Sequence, residues 1–168
     1  YLYMALVMCE GEINGISEIR VDDKVVTFAS SLADNTEVEV ASSDGNFFKN
    51  SASLIRLEPH FGSDGQSASS LLGTLSSWGS NHKLSGLAYL AIRFTWNQDA
   101  FTGIPKVQAK VQGKKIVTLN SSLAESSPTF SANPAFCLLD YLRNERYGKG
   151  IATSDIDLQS FFDASQVC

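Results

Sequence analysis

The sequence predicts an α+β chain that is mainly β: an antiparallel β-barrel or sandwich over residues 1–120, then a connector with two helices over residues 121–168. Three observations predict it. From Leu87 to Trp96, Ala88, Leu90, Ile92, Phe94 and Trp96 fall on one side and Leu87, Tyr89, Ala91, Arg93 and Thr95 on the other. Both sides are largely apolar, which places this strand in the middle of a sheet. Val107, Ala109 and Val111 alternate with Lys106, Gln108, Lys110 and Gln112 as a half-buried strand whose lysines would blunt an open sheet edge. The strands come in series before the helices, which argues against a parallel βαβ fold.

The elements follow in order. Leu2–Cys9 is a short apolar run bounded by Glu10, Gly11 and Glu12, read as a buried strand. Ile19 and Val21 alternate with Arg20 and Asp22, and the Asp22-Asp23 turn hands over to Val25 and Val26 as a hairpin. Residues 29–36 form a loop, and Glu37 to Val40 alternate as a half-buried strand. Asp44, Gly45 and Asn46 make a turn, and Leu54, Ile55 and Leu57 supply a strand that ends before Pro59. Gly62 to Ser80, low in charge and rich in Ser and Gly, reads equally as a surface loop or as a short helix around Ser69 to Ser77. Gly113 breaks the strand before it, and Lys114 to Val117 begin another. Asn120 to Ala132 is a Ser-rich connector without apolar period, the expected boundary between the β body and the helices.

Asn133 is suited to cap a helix and Pro134 to be its first residue. Ala135, Leu138, Leu139 and Leu142 form the expected apolar face, with Arg143 and Arg146 in the last turn and Gly148 as the left-handed stop. Ser154 with Asp155 and Asp157 marks a second helix start, followed by Leu158, Phe161 and Phe162.

A chain of 168 residues has room for one ordinary domain, or a domain and a subdomain. Its 43% apolar and 18% charged content is charge-poor, a profile that suits a surface partly covered by partners or a virion or extracellular protein. The net charge of -5 argues against a dedicated binder of nucleic acid or anionic membrane. That charge is unevenly spread: residues 1–46 carry nine acids and two bases, residues 47–121 three acids and eight bases. No apolar run approaches the roughly 20 residues of a membrane span. The start at Tyr1 and the end at Cys168 are expected of a portion of a longer protein.

No reaction class emerges from the titratable residues. Asp22 and Asp23 are turn residues rather than paired catalytic carboxylates. His60 and His82 lack a metal-ligand pattern, and Cys9, Cys137 and Cys168 lack zinc spacing and read as buried free thiols, as suits assembly in a reducing cytoplasm. Lys106, Lys110, Lys114 and Lys115 resemble a phosphate track, with Trp78, Trp96, Phe94 or Phe101 as stacking platforms, but the aromatics fall at inward positions. Gly62, Gly65 and Gly73 form no phosphate loop. No catalytic, cofactor or metal residue is expected. Glu58 or Asp64 would be the residues to test for a wall hydrolase, the third-ranked class.

The run Asn133 to Ile151, NPAFCLLDYLRNERYGKGI, resembles the NPA…C..DYL.N.RYG.GI block of siphophage tail tip proteins, the tip attachment or host-specificity protein J family. Tyr3 to Ile16 (YMALVMCEGEINGI), Leu84 to Ile116 (LSGLAYLAIRFTW, then GIPKVQAKVQGKKI) and Phe161 to Cys168 (FFDASQVC) are similar to further blocks of that family, in its order. Residues 30–81 have no counterpart and are expected to be an insertion or a divergent sheet.

The resemblance implies a homotrimeric, non-enzymatic central hub in the virion tail tip, assembled in the host cytoplasm, with β-barrel-like domains that cap or extend the tail tube. Residues 121–168 would begin the next hub domain. Its implied partners are distal tail and other tail tip proteins, the tape measure protein, and phage DNA passing through the bore without specific binding. Host attachment and genome ejection are the implied roles, but receptor binding is not carried over to any residue here. An acidic N-terminal stretch lining the bore would repel DNA. The alternative is a carbohydrate- or receptor-binding β-module of a virion or cell-surface protein.

Overall fold

The computed structural model describes residues 1–168, in two compact units, Tyr1–Gly113 and Lys114–Cys168. In the first unit nine strands are laid down in order: β1 (Leu2–Glu10), β2 (Ile13–Val21), β3 (Lys24–Val25), β4 (Val38–Glu39), β5 (Phe48–Lys49), β6 (Ala52–Ser53), β7 (Ile55–Phe61), β8 (Leu87–Phe94) and β9 (Val107–Lys114), the last residue of β9 opening the second unit. They form a four-stranded antiparallel sheet ordered β1-β8-β7-β4, a three-stranded sheet ordered β3-β2-β9 and the small hairpin β5-β6. One core joins the two larger sheets: Ile13, Ile16, Ile19 and Val21 of β2 share it with Leu57 of β7 and Ala88, Leu90, Ile92 and Phe94 of β8. The mainly β, α+β class holds, as open sheets with no closed barrel.

β8 lies between β1 and β7, and its two faces part as the alternation predicts. Ala88, Leu90, Ile92 and Phe94 enter the main core, whereas Tyr89 and Ala91 enter a second cluster with Leu71 and Leu72. The β2-β3 hairpin turns on Asp22 and Asp23, both at positive φ (48° and 63°), as a tight two-residue connection with right-handed strand twist requires. Gly11, at φ 87°, turns the chain from β1 to β2 and donates its N–H to the Gly86 carbonyl at 2.8 Å.

Several local expectations are corrected. β1 is an edge strand rather than a buried one, and Val7 is 56% exposed. β7 runs through Pro59. The Pro59 carbonyl accepts from Asn35 N, so its nitrogen points to the same side, beyond the end of β4, where no ladder bond is lost. β9 continues through Gly113, and Ile116 and Val117 start no strand; Ile116 only bridges Thr129. Trp96 lies beyond β8 and is 62% exposed. Of the cysteines only Cys9 is half-buried, while Cys137 and Cys168 are exposed. Residues 69–77 contain just one short 3-10 turn, Leu72–Thr74.

The second unit holds α1 (Pro134–Arg143) and α2 (Leu158–Ser165) around Ile116, Leu119, Phe136 and Leu139, with Ile156, Leu158, Phe161 and Phe162 packed on them. Asn133 caps α1, its side chain accepting from Ala135 N and Phe136 N. The buried face of α1 is Ala135, Phe136 and Leu139, while Leu138 is 51% exposed. Asp157, not Ser154, caps α2, accepting from Gln159 N and Ser160 N.

α1 ends at Arg143, which leaves Arg146 outside it, and Gly148 is not its left-handed stop. The chain turns on Asn144, whose side-chain oxygen accepts from Arg146 N and Tyr147 N. It then folds back so that Lys149 N and Ile151 N bond the carbonyls of Tyr141 and Leu142. These are carbonyls that a helix end leaves without partners. Gly150 is the residue at positive φ, 64°. Gly148 is required for closeness, since a Cβ there would stand 1.8 Å from the Tyr141 carbonyl oxygen. Gly148→Ala is therefore expected to lower stability by roughly 1–3 kcal/mol through overpacking. Gly45→Ala, with no atom within 4 Å of the added carbon, should unfold at nearly the wild-type denaturant concentration.

Candidate functional site

The polar chemistry of the first unit gathers on the outer face of the four-stranded sheet. Glu58 and His60 of β7 stand opposite Ala91 and Tyr89 of β8. Paired residues on antiparallel strands share a face, so Glu58 and His60 lie with Tyr89 against the segment that connects β7 to β8. Glu58 is buried, and its carboxylate accepts from Ser69 Oγ at 2.6 Å, Leu71 N at 2.8 Å and Ser70 N at 3.2 Å. Burial by itself pushes the Glu58 carboxyl up, but the nearby His60 ring and the hydrogen bonds from Ser69, Leu71 and Ser70 outweigh it and hold it at about 2.

His60 is fully buried and stacks on Tyr89, ring centres 4.2 Å apart. Its Nε2 is 3.5 Å from Glu58 Oε1, too far for a well-formed hydrogen bond, and neither ring nitrogen has a partner within the protein. The Tyr89 hydroxyl approaches the Ser69 backbone without reaching bonding geometry, and burial first, then the Glu58 and Asp34 charges, push it up to about 12. Gln66, which no pattern in the sequence singles out, is buried and spends its whole amide on backbone. Its Oε1 accepts from Gly62 N at 2.9 Å, and its Nε2 donates to the carbonyls of Lys83, Leu84 and Leu87 at 2.9, 2.7 and 3.0 Å. Glu58 and Gln66 thus hold a connection in place, with every Glu58 oxygen already engaged from inside the protein. Asp64 does not join them in any hydrogen bond or ion pair.

The other residues singled out from the sequence do not converge. His82 sits on the surface, its Nδ1 2.9 Å from Gly79 N and its ring against Trp78. The lysine series makes no basic strip: Lys106 pairs with Asp23 at 3.2 Å, and Lys114 Nζ lies 3.5 Å from Asp140 in the second unit. There the Tyr147 hydroxyl donates to Asp140 and accepts from Lys114, whose ammonium also lies 4.6 Å from the Tyr147 ring centre. Burial pulls the Lys114 ammonium down, but Tyr147 and Asp140 outweigh it and raise it. Much of the N-terminal acidic excess is also matched locally, with Glu18 on Arg20 and both Glu37 and Glu39 on Arg56. Phe94 and Phe101 are buried and offer no platform.

Two of the exposed depressions are apolar. Tyr1, Leu2, Trp96, Ile104 and Pro105 line a cleft of about 320 Å³, with Ile104 81% exposed. In the second unit, Pro134, Ala135, Leu138, Phe161, Ala164 and Cys168 line a groove of similar volume, about 320 Å³. A sheet edge is also open. Thr95 N bonds the Leu54 carbonyl, so alternate residues of β8 back to Tyr89 face β7, and Leu90, Ile92 and Phe94 face β1. Their partners Leu6, Met4 and Leu2 are bonded to β8, which leaves the backbone groups of Tyr3, Ala5 and Val7 directed outward.

No protein-family model matches the chain. Over 90 residues, 54% of its length, it is 37% identical to baseplate hub protein pb3 of Escherichia phage T5. The chain spans 9% of the length of that curated relative.

The Glu58 carboxyl is depressed from 4.5 to about 2, so its contribution is fully present above pH 4.5 and fades as pH falls through about 2. A shift of that size corresponds to about 3 kcal/mol. Glu58→Gln should destabilise the protein at pH 7, with the gap to wild type closing between pH 4.5 and pH 2 in denaturant unfolding. A gap that stays constant across that range would mean that the charge is not what matters at this position.

Proposed function

We propose that this chain is part of the central hub of a phage tail tip or baseplate, a structural element that caps or extends the tail tube and takes part in host attachment and genome ejection. The similarity to a phage baseplate hub protein carries this reading. The exposed surface agrees with it: an open sheet edge at β1 and two apolar depressions are features that subunit contacts cover. The arrangement that goes with it is a homotrimer, non-enzymatic, stacked on distal tail and other tail tip proteins, with the tape measure protein and passing DNA inside. The one acid proposed for hydrolysis that is buried, Glu58, has its oxygens occupied by the protein itself, in line with a role in contact rather than turnover.

A second reading, a carbohydrate-binding β-module, draws on the exposed Trp96 beside Tyr1 in the apolar cleft. Glycan-array binding that Trp96→Ala removes would favour it over the hub.

The hub reading predicts that antibodies to this chain label the tail tip of intact particles, and that tails lacking it end without a closed tip in electron micrographs. Recovery of the protein only off the particle would overturn the proposal. Ala5→Pro removes an outward N–H of β1 and leaves the β1-β8 ladder whole, so particles carrying it should show at least about tenfold fewer completed tips while the isolated chain unfolds near its wild-type midpoint.

A further inference from the structure

The connection from β7 to β8 is long, and its two ends meet. A Cβ on Gly62 would stand 2.9 Å from Ala88 N and 2.7 Å from the Gly11 carbonyl oxygen, and Gly86 closes the other end. Both glycines have positive φ, 89° and 76°. Between them the chain lies back over the outer face of the sheet, as compact surface loops with adjacent ends do. Its internal order is local: one 3-10 turn at Leu72–Thr74, and single turns closed by Trp78 N to Leu75 O and His82 N to Gly79 O.

What holds this segment down is limited. Its buried apolar footing is Leu71 and Leu72 on Tyr89 and Ala91, with Trp78, Leu84 and Tyr3 partly buried around them. The rest is two polar clasps: Glu58 reaching up from β7 to Ser69, Ser70 and Leu71, and Gln66 reaching across the segment's two ends from Gly62 to Leu87. Under it lie His60 Nδ1 and Nε2 and the Tyr89 hydroxyl, buried without a hydrogen bond inside the protein, as is Trp78 Nε1 of the segment itself. A buried polar group left unbonded costs about 1–3 kcal/mol, and that cost is relieved when water reaches it.

The geometry points to a strap: residues 62–86 leave and rejoin the outer face of the sheet as one unit, turning at Gly62 and Gly86, with Glu58 and Gln66 as its clasps and Tyr89, Ala91 and His60 as the surface it uncovers. Opening leaves both sheets intact, because no ladder bond of β7 or β8 passes through the segment. This inference rests on the first unit alone and stands or falls separately from the hub reading.

Hydrogen exchange followed by mass spectrometry on the full chain tests it with two substitutions of opposite expected sign. In the wild type, amides of residues 66–84 should exchange at least roughly tenfold faster than those of β7 and β8, as expected of a local opening. Glu58→Gln, which weakens one clasp, should speed exchange in that segment roughly tenfold more, with the segment still exchanging faster than β2 and β9, whose amides exchange only as the whole unit unfolds. Tyr89→Phe removes an unbonded hydroxyl and no clasp, so it should slow exchange in the segment several-fold. The proposal is overturned if the segment is as protected as β8, if Glu58→Gln leaves the segment's exchange unchanged, or if Tyr89→Phe leaves the segment's exchange unchanged.

Discussion

Strand β8 is apolar on both faces, and the first unit is arranged to bury it twice. Its inner residues Ala88, Leu90, Ile92 and Phe94 require the second sheet, whose β2 brings Ile13, Ile16, Ile19 and Val21 to the same core. Burying a large aliphatic side chain is worth about 1.5–3 kcal/mol, so this layer is where most of the unit's stability resides. The outer residues Tyr89 and Ala91 are left over. No second sheet is available to cover them, and the chain uses its own β7-β8 connection instead. A cover made of loop must satisfy its backbone polar groups somewhere other than a ladder. That explains a buried Glu58 and a buried Gln66 under a segment of Ser, Gly and Asn: each supplies hydrogen bonds to backbone groups that a strand or helix would have paired by itself.

Local rules read well wherever the partner of a residue is a sequence neighbour. The two faces of β8, the Asp22-Asp23 turn and the Asn133 cap each follow from a few adjacent positions, and the structure has them as the sequence implies. They read poorly where the deciding partner is distant. Pro59 looks like a strand end until β4 is seen to stop short of it. Gly148 looks like a helix stop, although what fixes it is the approach of the Tyr141 carbonyl. Gln66 carried no signal at all, since its partners lie up to 21 positions away and are all main chain. Leu138 was assigned to the buried face because it completes a helical period. Phe136 takes that place, and Leu138 is turned to the groove with Phe161 and Ala164.

The same distinction clarifies what the most distinctive run, NPAFCLLDYLRNERYGKGI, encodes. Asn133 and Pro134 start α1, Asn144 turns the chain, Gly148 admits the return, and Lys149 and Ile151 close the open carbonyls of the helix. Tyr147 and Asp140 tie the returning segment to Lys114. These residues of the run have backbone or anchoring tasks. Likeness in such a run therefore transmits an architecture, and it says little about chemistry.

The two long edges of the first unit are made differently, and the difference bears on assembly. β9 carries Lys110 along its length, the kind of charge that discourages another strand from pairing there. β1 carries no charge from Leu2 through Cys9 and no proline, and its only irregularity is a shift of register between Val7 and Cys9. An edge nine residues long, left without those safeguards, has three backbone positions directed outward at Tyr3, Ala5 and Val7. At the exposed Val7 a chain that stayed alone could carry a lysine. The absence of one is what a strand would show if its edge were meant to be covered.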